Sequence, residues 1–143
     1  FKNSGGDTFK FAMYTNSQAG NDNLGGSSST MDATITAYNT GGTSSNEVSN
    51  TGDYTQGGGT LTRVDPALKS TSTATTQFAN LEFGGGGNVV TLTARGALIY
   101  NDSASGDPAV CVLDFGADKS ASSGTFTVIF PTNDASNALI RIA

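Results

Sequence analysis

The stretch Thr91–Phe115, TLTARGALIYNDSASGDPAVCVLDF, constrains this chain more than any other. Leu92, Ala94, Leu98, Ile99 and Tyr100 form one apolar run, Asn101–Pro108 interrupts it, and Ala109–Leu113 forms a second. Branched and aromatic residues bounded by Asn, Asp, Ser, Gly and Pro are the composition of two strands joined by a hairpin. Arg95-Gly96 breaks the first run and predicts a bend. The second run is apolar at odd and even positions alike, so both of its faces are expected to be covered. The cover is expected from an opposing sheet edge, a long loop or a neighbouring subunit.

The rest of the chain reads in the same idiom. Thr8–Thr15 alternates, with Phe9, Phe11 and Met13 on one face and Lys10, Ala12 and Tyr14 on the other, which predicts a half-buried strand. Asn16–Thr30 is a long loop of Gly, Ser and Asn, Ala33–Tyr38 a short strand, and Asn39–Ser45 polar again. Glu47–Thr62 carries turn chemistry at Asn50–Asp53 and Gly57–Gly59. A strand through Leu61 and Val64 is expected to end at Asp65-Pro66, where an N-cap Asp and a first-turn Pro predict one helical turn at most. Thr75–Phe83 reads as a strand with a bulge near Phe78 and Leu81.

Gly84–Gly87 is followed by strand composition, Val89–Ala94, and no Lys-Ser/Thr, so it reads as a hairpin connection rather than a phosphate cradle. Gly116–Gly124 is expected to be a connection. Thr125–Phe130 alternates again, with Phe126, Val128 and Phe130 together, and Ala138–Ile142 closes the chain as a strand. No segment of useful length has a helical period. Eight to ten short strands separated by turns predict an all-β fold, an antiparallel, jelly-roll-like β-sandwich with residues 1–143 as a single domain. Twenty Thr and sixteen Ser against only 13 % charged residues fit pleated surfaces and turns rather than a disordered chain.

Charge and residue inventory narrow the function. The net charge is −5, and the basic residues Lys2, Lys10, Arg63, Lys69, Arg95, Lys119 and Arg141 are scattered, which argues against a nucleic-acid partner. No apolar run approaches the ~18 residues of a membrane span. Histidine is absent, which removes the commonest general base and metal ligand. The single cysteine, Cys111, has apolar neighbours and reads as an inert buried thiol.

Paired carboxylates are available for glycoside hydrolysis, as Asp102 with Asp107 or Asp114 with Asp118, but all except Asp114 lie in Gly- and Ser-rich segments where solvated turn-formers belong. The Asp residues around Asn101–Asp107 match no calcium-loop spacing, and Asn101-Asp102-Ser103 fits a glycosylation acceptor at near-chance level. Asp114 faces a core-like run and is expected to cap a strand end or to pair with Arg95 or Arg141 rather than act chemically. The reading is a non-enzyme with no catalytic, cofactor-binding or metal residue assigned and no cofactor.

Seven segments in order, GDTFKFAMYT (Gly6–Thr15), TAY (Thr36–Tyr38), NEVSNTGDYTQGG (Asn46–Gly58), TARGALIYND (Thr93–Asp102), VCVLDFGADKS (Val110–Ser120), GTFTVIFP (Gly124–Pro131) and NALIRIA (Asn137–Ala143), resemble a family of small virion structural proteins of tailed bacteriophages. The resemblance implies a structural role in the virion, assembled in the bacterial cytoplasm. It points to a capsid decoration (cement) protein that contacts the major capsid protein or other virion proteins, as a homo-oligomer with a trimer favoured. It offers no catalytic motif, and family members often carry a short segment before the first strand, which here would precede Phe1. The competing reading is a tail, baseplate or fibre component, with host-glycan binding as its discriminating property.

Overall fold

The computed structural model describes residues 1–2, 4–16, 35–38 and 46–143. The expected loop Asn16–Thr30 beyond Asn16, the first two residues of the expected strand Ala33–Tyr38 and the stretch Asn39–Ser45 lie outside these residues. The described residues form nine strands and no helix: β1 (Phe9–Tyr14), β2 (Gly59–Leu61), β3 (Arg63–Leu68), β4 (Ala74–Phe78), β5 (Leu81–Phe83), β6 (Val90–Asn101), β7 (Ala109–Gly124), β8 (Phe126–Val128) and β9 (Ile140–Ile142). Every pairing is antiparallel, in sheets ordered β2-β1-β6-β7, β3-β4-β9 and β5-β8. The class is all-β.

β1 and β6 are the central strands; β1 and the second half of β6 are covered on both faces, while Thr91 and Thr93 leave one face of the first half of β6 exposed. Phe9, Phe11 and Met13 enter the larger core, while Ala12 and Tyr14 enter a smaller cluster behind the sheet. The alternation in Thr8–Thr15 is therefore as expected, but the strand is not half-buried, because Ile35 and Tyr38 from a distant segment join Tyr100 of β6 on its second face. In β6 the core-facing residues are Val90, Leu92 and Ala94, then Ala97 and Ile99. The switch from even to odd positions falls at Arg95-Gly96, where the β6–β7 register also shifts. The bend predicted there is what lets one long strand keep apolar residues on the core along its length.

The larger core is closed by the two smaller sheets. Phe78 at the end of β4 is fully buried and meets Phe9 at 5.6 Å and Phe130 at 5.9 Å between ring centroids. Phe83 and Phe126, paired across β5 and β8, enter the same cluster. Burying each such ring contributes roughly 1.5–3 kcal/mol.

Several local expectations are corrected. Asp65-Pro66 opens no helical turn; β3 runs through it, and the β3–β4 register shifts between Val64 and Ala67. β3 is an edge strand, so a missing N–H at Pro66 is tolerated at the bulge. Thr75–Phe83 is two strands in different sheets, not one bulged strand. Gly84–Gly87 accordingly links sheet to sheet rather than closing a hairpin.

Gly116–Gly124 is not a connection but the second half of β7, paired to β6 through Lys119, Ser120, Ala121 and Gly124. An exposed edge strand gains its hydrogen bonds from one neighbour and needs no apolar face, so its polar composition hid it. From Val90 to Tyr100, β6 is matched by the longer stretch Ala109–Gly124, and the surplus residues are accommodated as bulges, which together with Asp118 and Lys119 blunt this edge against stray pairing. The apolar run Ala109–Leu113 does meet a cluster on each face: Val110, Cys111 and Leu113 on the larger core, Ala109 and Val112 on the smaller. As part of an edge strand these residues are half-buried rather than enclosed. Their second face is met inside the chain, by the cluster that contains Ile35 and Tyr38, and so does not itself call for a subunit.

Candidate functional site

The most unusual polar arrangement among the described residues is built around Glu47. Asn46–Val48 runs beside the end of β1: Thr15 donates its N–H to the Asn46 carbonyl at 2.8 Å and Val48 donates to the Met13 carbonyl at 2.8 Å. This places the Glu47 side chain behind the sheet, with the residue only 6 % exposed. A tight turn in which Thr51 and Tyr54 exchange backbone hydrogen bonds carries the Tyr54 ring into the core.

Three segments then converge on one carboxylate. The Tyr54 hydroxyl donates to Oε1 at 2.9 Å, the Gly57 N–H donates to the same oxygen at 2.6 Å, and the Tyr38 hydroxyl donates to Oε2 at 2.9 Å. The Tyr54 oxygen also accepts the Met13 N–H at 2.9 Å, which ties the group to β1. Tyr38 stacks on Tyr100 of β6, whose hydroxyl donates to the Gly57 carbonyl at 2.7 Å. A buried carboxylate is tolerated only with such partners.

The electrostatics follow from burial. Desolvation raises the Glu47 pKa above its ordinary value, against the opposing pull of the Gly57, Tyr38 and Tyr54 donors. Burial also raises Tyr54, reinforced by the Glu47 charge, and raises Tyr100, reinforced by Tyr38. Chemically the arrangement is a clasp: both carboxylate oxygens are engaged, and they join residues 35–38, 46–48 and 54–57 to β1 and β6. Sequence reasoning passed over Glu47 because the segment reads as turns. The Tyr and Gly residues that surround it are dispersed from position 38 to position 100 and give no local signal.

The acids singled out from sequence are engaged with separate partners. Asp102 pairs with Lys10 at 3.1 Å. Asp107, at a φ of 46°, closes the β6–β7 loop, donating its N–H to the Ala104 carbonyl while its own carbonyl accepts the Tyr38 N–H. Asp114 pairs with Arg95 at 3.2 Å, as one of the two expected pairings had it, and also accepts the Gly116 N–H at 2.7 Å. Its side chain is 34 % exposed, so burial is not what compels the pairing. Arg141 instead donates to the Ala135 and Ser136 carbonyls. Asp118 lies on the exposed half of β7.

Asn101 donates from Nδ2 to Asp7 at 2.9 Å and accepts the Ser103 N–H and hydroxyl, so its side chain serves a turn. Gly84 donates its N–H to Asp53 at 3.0 Å and its carbonyl accepts the Thr125 hydroxyl at 2.8 Å, which fixes the start of the glycine run between two sheets. Cys111 is half-buried, and desolvation pushes its thiol up to about 11. Among the described residues no group of three or more His, Cys, Asp or Glu side chains is placed to hold a metal ion.

Two surface features complete the picture. An open groove of about 470 Å³ runs between the second half of β7 and β8, lined by Phe115, Lys119 and Val128 and flanked by the exposed Ile129. On the other sheet, Leu68, Ala74 and Ile142 stand opposite one another across β3, β4 and β9 and form an apolar row, with Leu68 and Ile142 both exposed. No protein-family model, curated protein or solved structure matches this chain.

Proposed function

We propose that this protein is a structural component of a tailed-bacteriophage particle, a decoration protein that binds the capsid shell through protein–protein contacts and works as a homotrimer, with its sheets arranged as a jelly-roll-like sandwich. The observation that carries this reading is where the resembling segments fall. Gly6–Thr15 contains β1, Asn46–Gly58 contains Glu47 and the turn that serves it, and Thr93–Asp102 is the buried half of β6. Val110–Ser120, Gly124–Pro131 and Asn137–Ala143 contain most of β7, all of β8 and all of β9. The resemblance thus lies mostly on the strands that build the scaffold and on the turn that serves Glu47.

Exposed Leu68, Ile129 and Ile142 are consistent with a protein that acts by burying surface against neighbours. The trimer rests on the resemblance alone, since the second face of Ala109–Leu113 meets a cluster within the chain.

Location is the test. Cryo-electron microscopy of the purified particle is expected to show this β scaffold repeated over the capsid lattice, and recombinant protein is expected to bind shells from which it has been stripped. Density at the tail tip would assign it to the tail instead, and absence of the chain from purified particles would end the virion reading altogether.

A further inference from the structure

The covers over Glu47 differ in how firmly they are held. Tyr54 is 1 % exposed, with its ring in the larger core and its hydroxyl on the Met13 N–H. Among the described residues, the segment Ile35–Tyr38 meets the start of β7 through the bridge Ala37 to Pro108. Two backbone hydrogen bonds hold it there, Tyr38 N–H to Asp107 at 2.9 Å and Ala109 N–H to Thr36 at 2.8 Å. Beyond these its anchors include the Tyr38–Tyr100 stack and the Tyr38 hydroxyl on Glu47. Lifting Tyr38 would admit water to Glu47 Oε2 without moving the Tyr54 ring from the larger core.

We propose that Glu47 makes the attachment of Ile35–Tyr38 to the edge of β7 depend on pH, firm when its carboxyl is protonated and looser when it is ionised. With Tyr38 lifted, water reaches the carboxylate and its pKa falls below that of the closed form; with Tyr38 in place, burial resists the charge. The opened form then binds fewer protons, so opening becomes more favourable as pH rises. The closed clasp survives protonation, because the Tyr38 oxygen accepts a hydrogen bond as readily as the hydroxyl donates one.

The groups that face the carboxyl are Tyr38 from the segment itself, Tyr54 and the Gly57 N–H from the turn, Tyr14 through its backbone bridge to Glu47, and Tyr100 from β6, with Asp102 and Asp107 acting on Tyr100 in turn. Burial raises the Tyr54 and Tyr100 phenols, so neither adds its own titration to the window. The structural consequence of opening is release of the backbone at Asp107–Ala109.

Hydrogen exchange of the whole chain, followed residue by residue and corrected for the intrinsic pH dependence of exchange, tests this. Protection of the Tyr38 and Ala109 amides is expected to fall several-fold from about pH 4 to 8, while amides in the β1–β6 ladder change less. Glu47→Gln is expected to give a flat profile at the acid level of the wild type, since a Gln amide at this site donates to the Tyr38 oxygen. Should that variant fold poorly, Tyr38→Phe keeps the ring and removes one donor from the carboxylate, and the midpoint of the profile is expected to move up. A flat wild-type profile, an unchanged slope in Glu47→Gln, or an unmoved midpoint in Tyr38→Phe would each overturn the proposal.

Discussion

Tyr38 lies flat on Tyr100, with ring centroids 4.3 Å apart and planes 10° from parallel, while the two hydroxyls go to different partners, Glu47 and the Gly57 carbonyl. The stack supplies contact area and the hydroxyls supply direction, so removing each has a different cost. Tyr38→Phe is expected to cost about 1.5 kcal/mol, the low end for a hydrogen bond to a charged acceptor, in a site that retains two other donors. Tyr38→Ala also loses the ring and is expected to cost about 3 kcal/mol, the low end for a buried aromatic, because residues 35–38 can rearrange. Urea denaturation should show both as shifts in midpoint with an unchanged slope.

Gly57 and Gly58 adopt left-handed conformations side by side, at φ of 96° and 78°. A Cβ at 58 would strike the Phe11 carbonyl on the central strand, whereas one at 57 would meet only the Tyr100 and Tyr38 hydroxyls, at 3.7 and 3.8 Å. Gly57→Ala is therefore expected to cost only the backbone penalty, about 1–2 kcal/mol. Gly58→Ala should cost more, because β1 itself must shift. Equal thermal stabilities for the two variants would show that the close approach at Phe11 is not a constraint.

Cys111 offers a chemical check on burial. With its thiol at about 11, little thiolate exists at neutral pH, and the half-buried position limits access. Labelling by a thiol-specific chromogenic reagent at pH 7.5 is expected to be slow in buffer and fast in denaturing urea. Fast labelling of the native chain would mean that the edge of β7 opens readily.

Asp134 illustrates the opposite sign. The Asn137 side-chain amide and the N–H groups of Ser136 and Asn137 hold its carboxyl below the usual range. A lowered folded pKa contributes stability that is present above the unfolded value and lost as pH falls through the folded one. In a side-chain carbon NMR titration, Asn137→Ala is expected to move Asp134 up towards the ordinary 3.8. No movement would assign the lowering to the backbone donors alone.

Much of the fold was legible from local pattern. The alternation of Phe9, Phe11 and Met13, the hairpin around Asn101–Pro108 and the bend at Arg95-Gly96 all report which way successive side chains point, a property of a few adjacent residues. Where pattern misled, a distant neighbour decided. Asp65-Pro66 has the chemistry of a helix start, yet it lies on an edge strand because β4 offers a partner along one side. Gly116–Gly124 has the chemistry of a loop, yet it pairs with β6 because an exposed strand asks only for backbone partners.

The candidate site was the least legible part. Glu47 looks in sequence like one more solvated acid between turns, and its burial depends on Tyr38 arriving from one segment and on Tyr54 and Gly57 from another. Residue order alone determined the all-β class, the strands that form the core and the absence of histidine chemistry, because each is settled by side-chain type and local spacing. The tertiary structure alone decided which strands are edges, what covers the second face of the central sheet and which carboxylate is taken out of water. Those depend on contacts between residues far apart in the chain, whose free energy no local pattern carries.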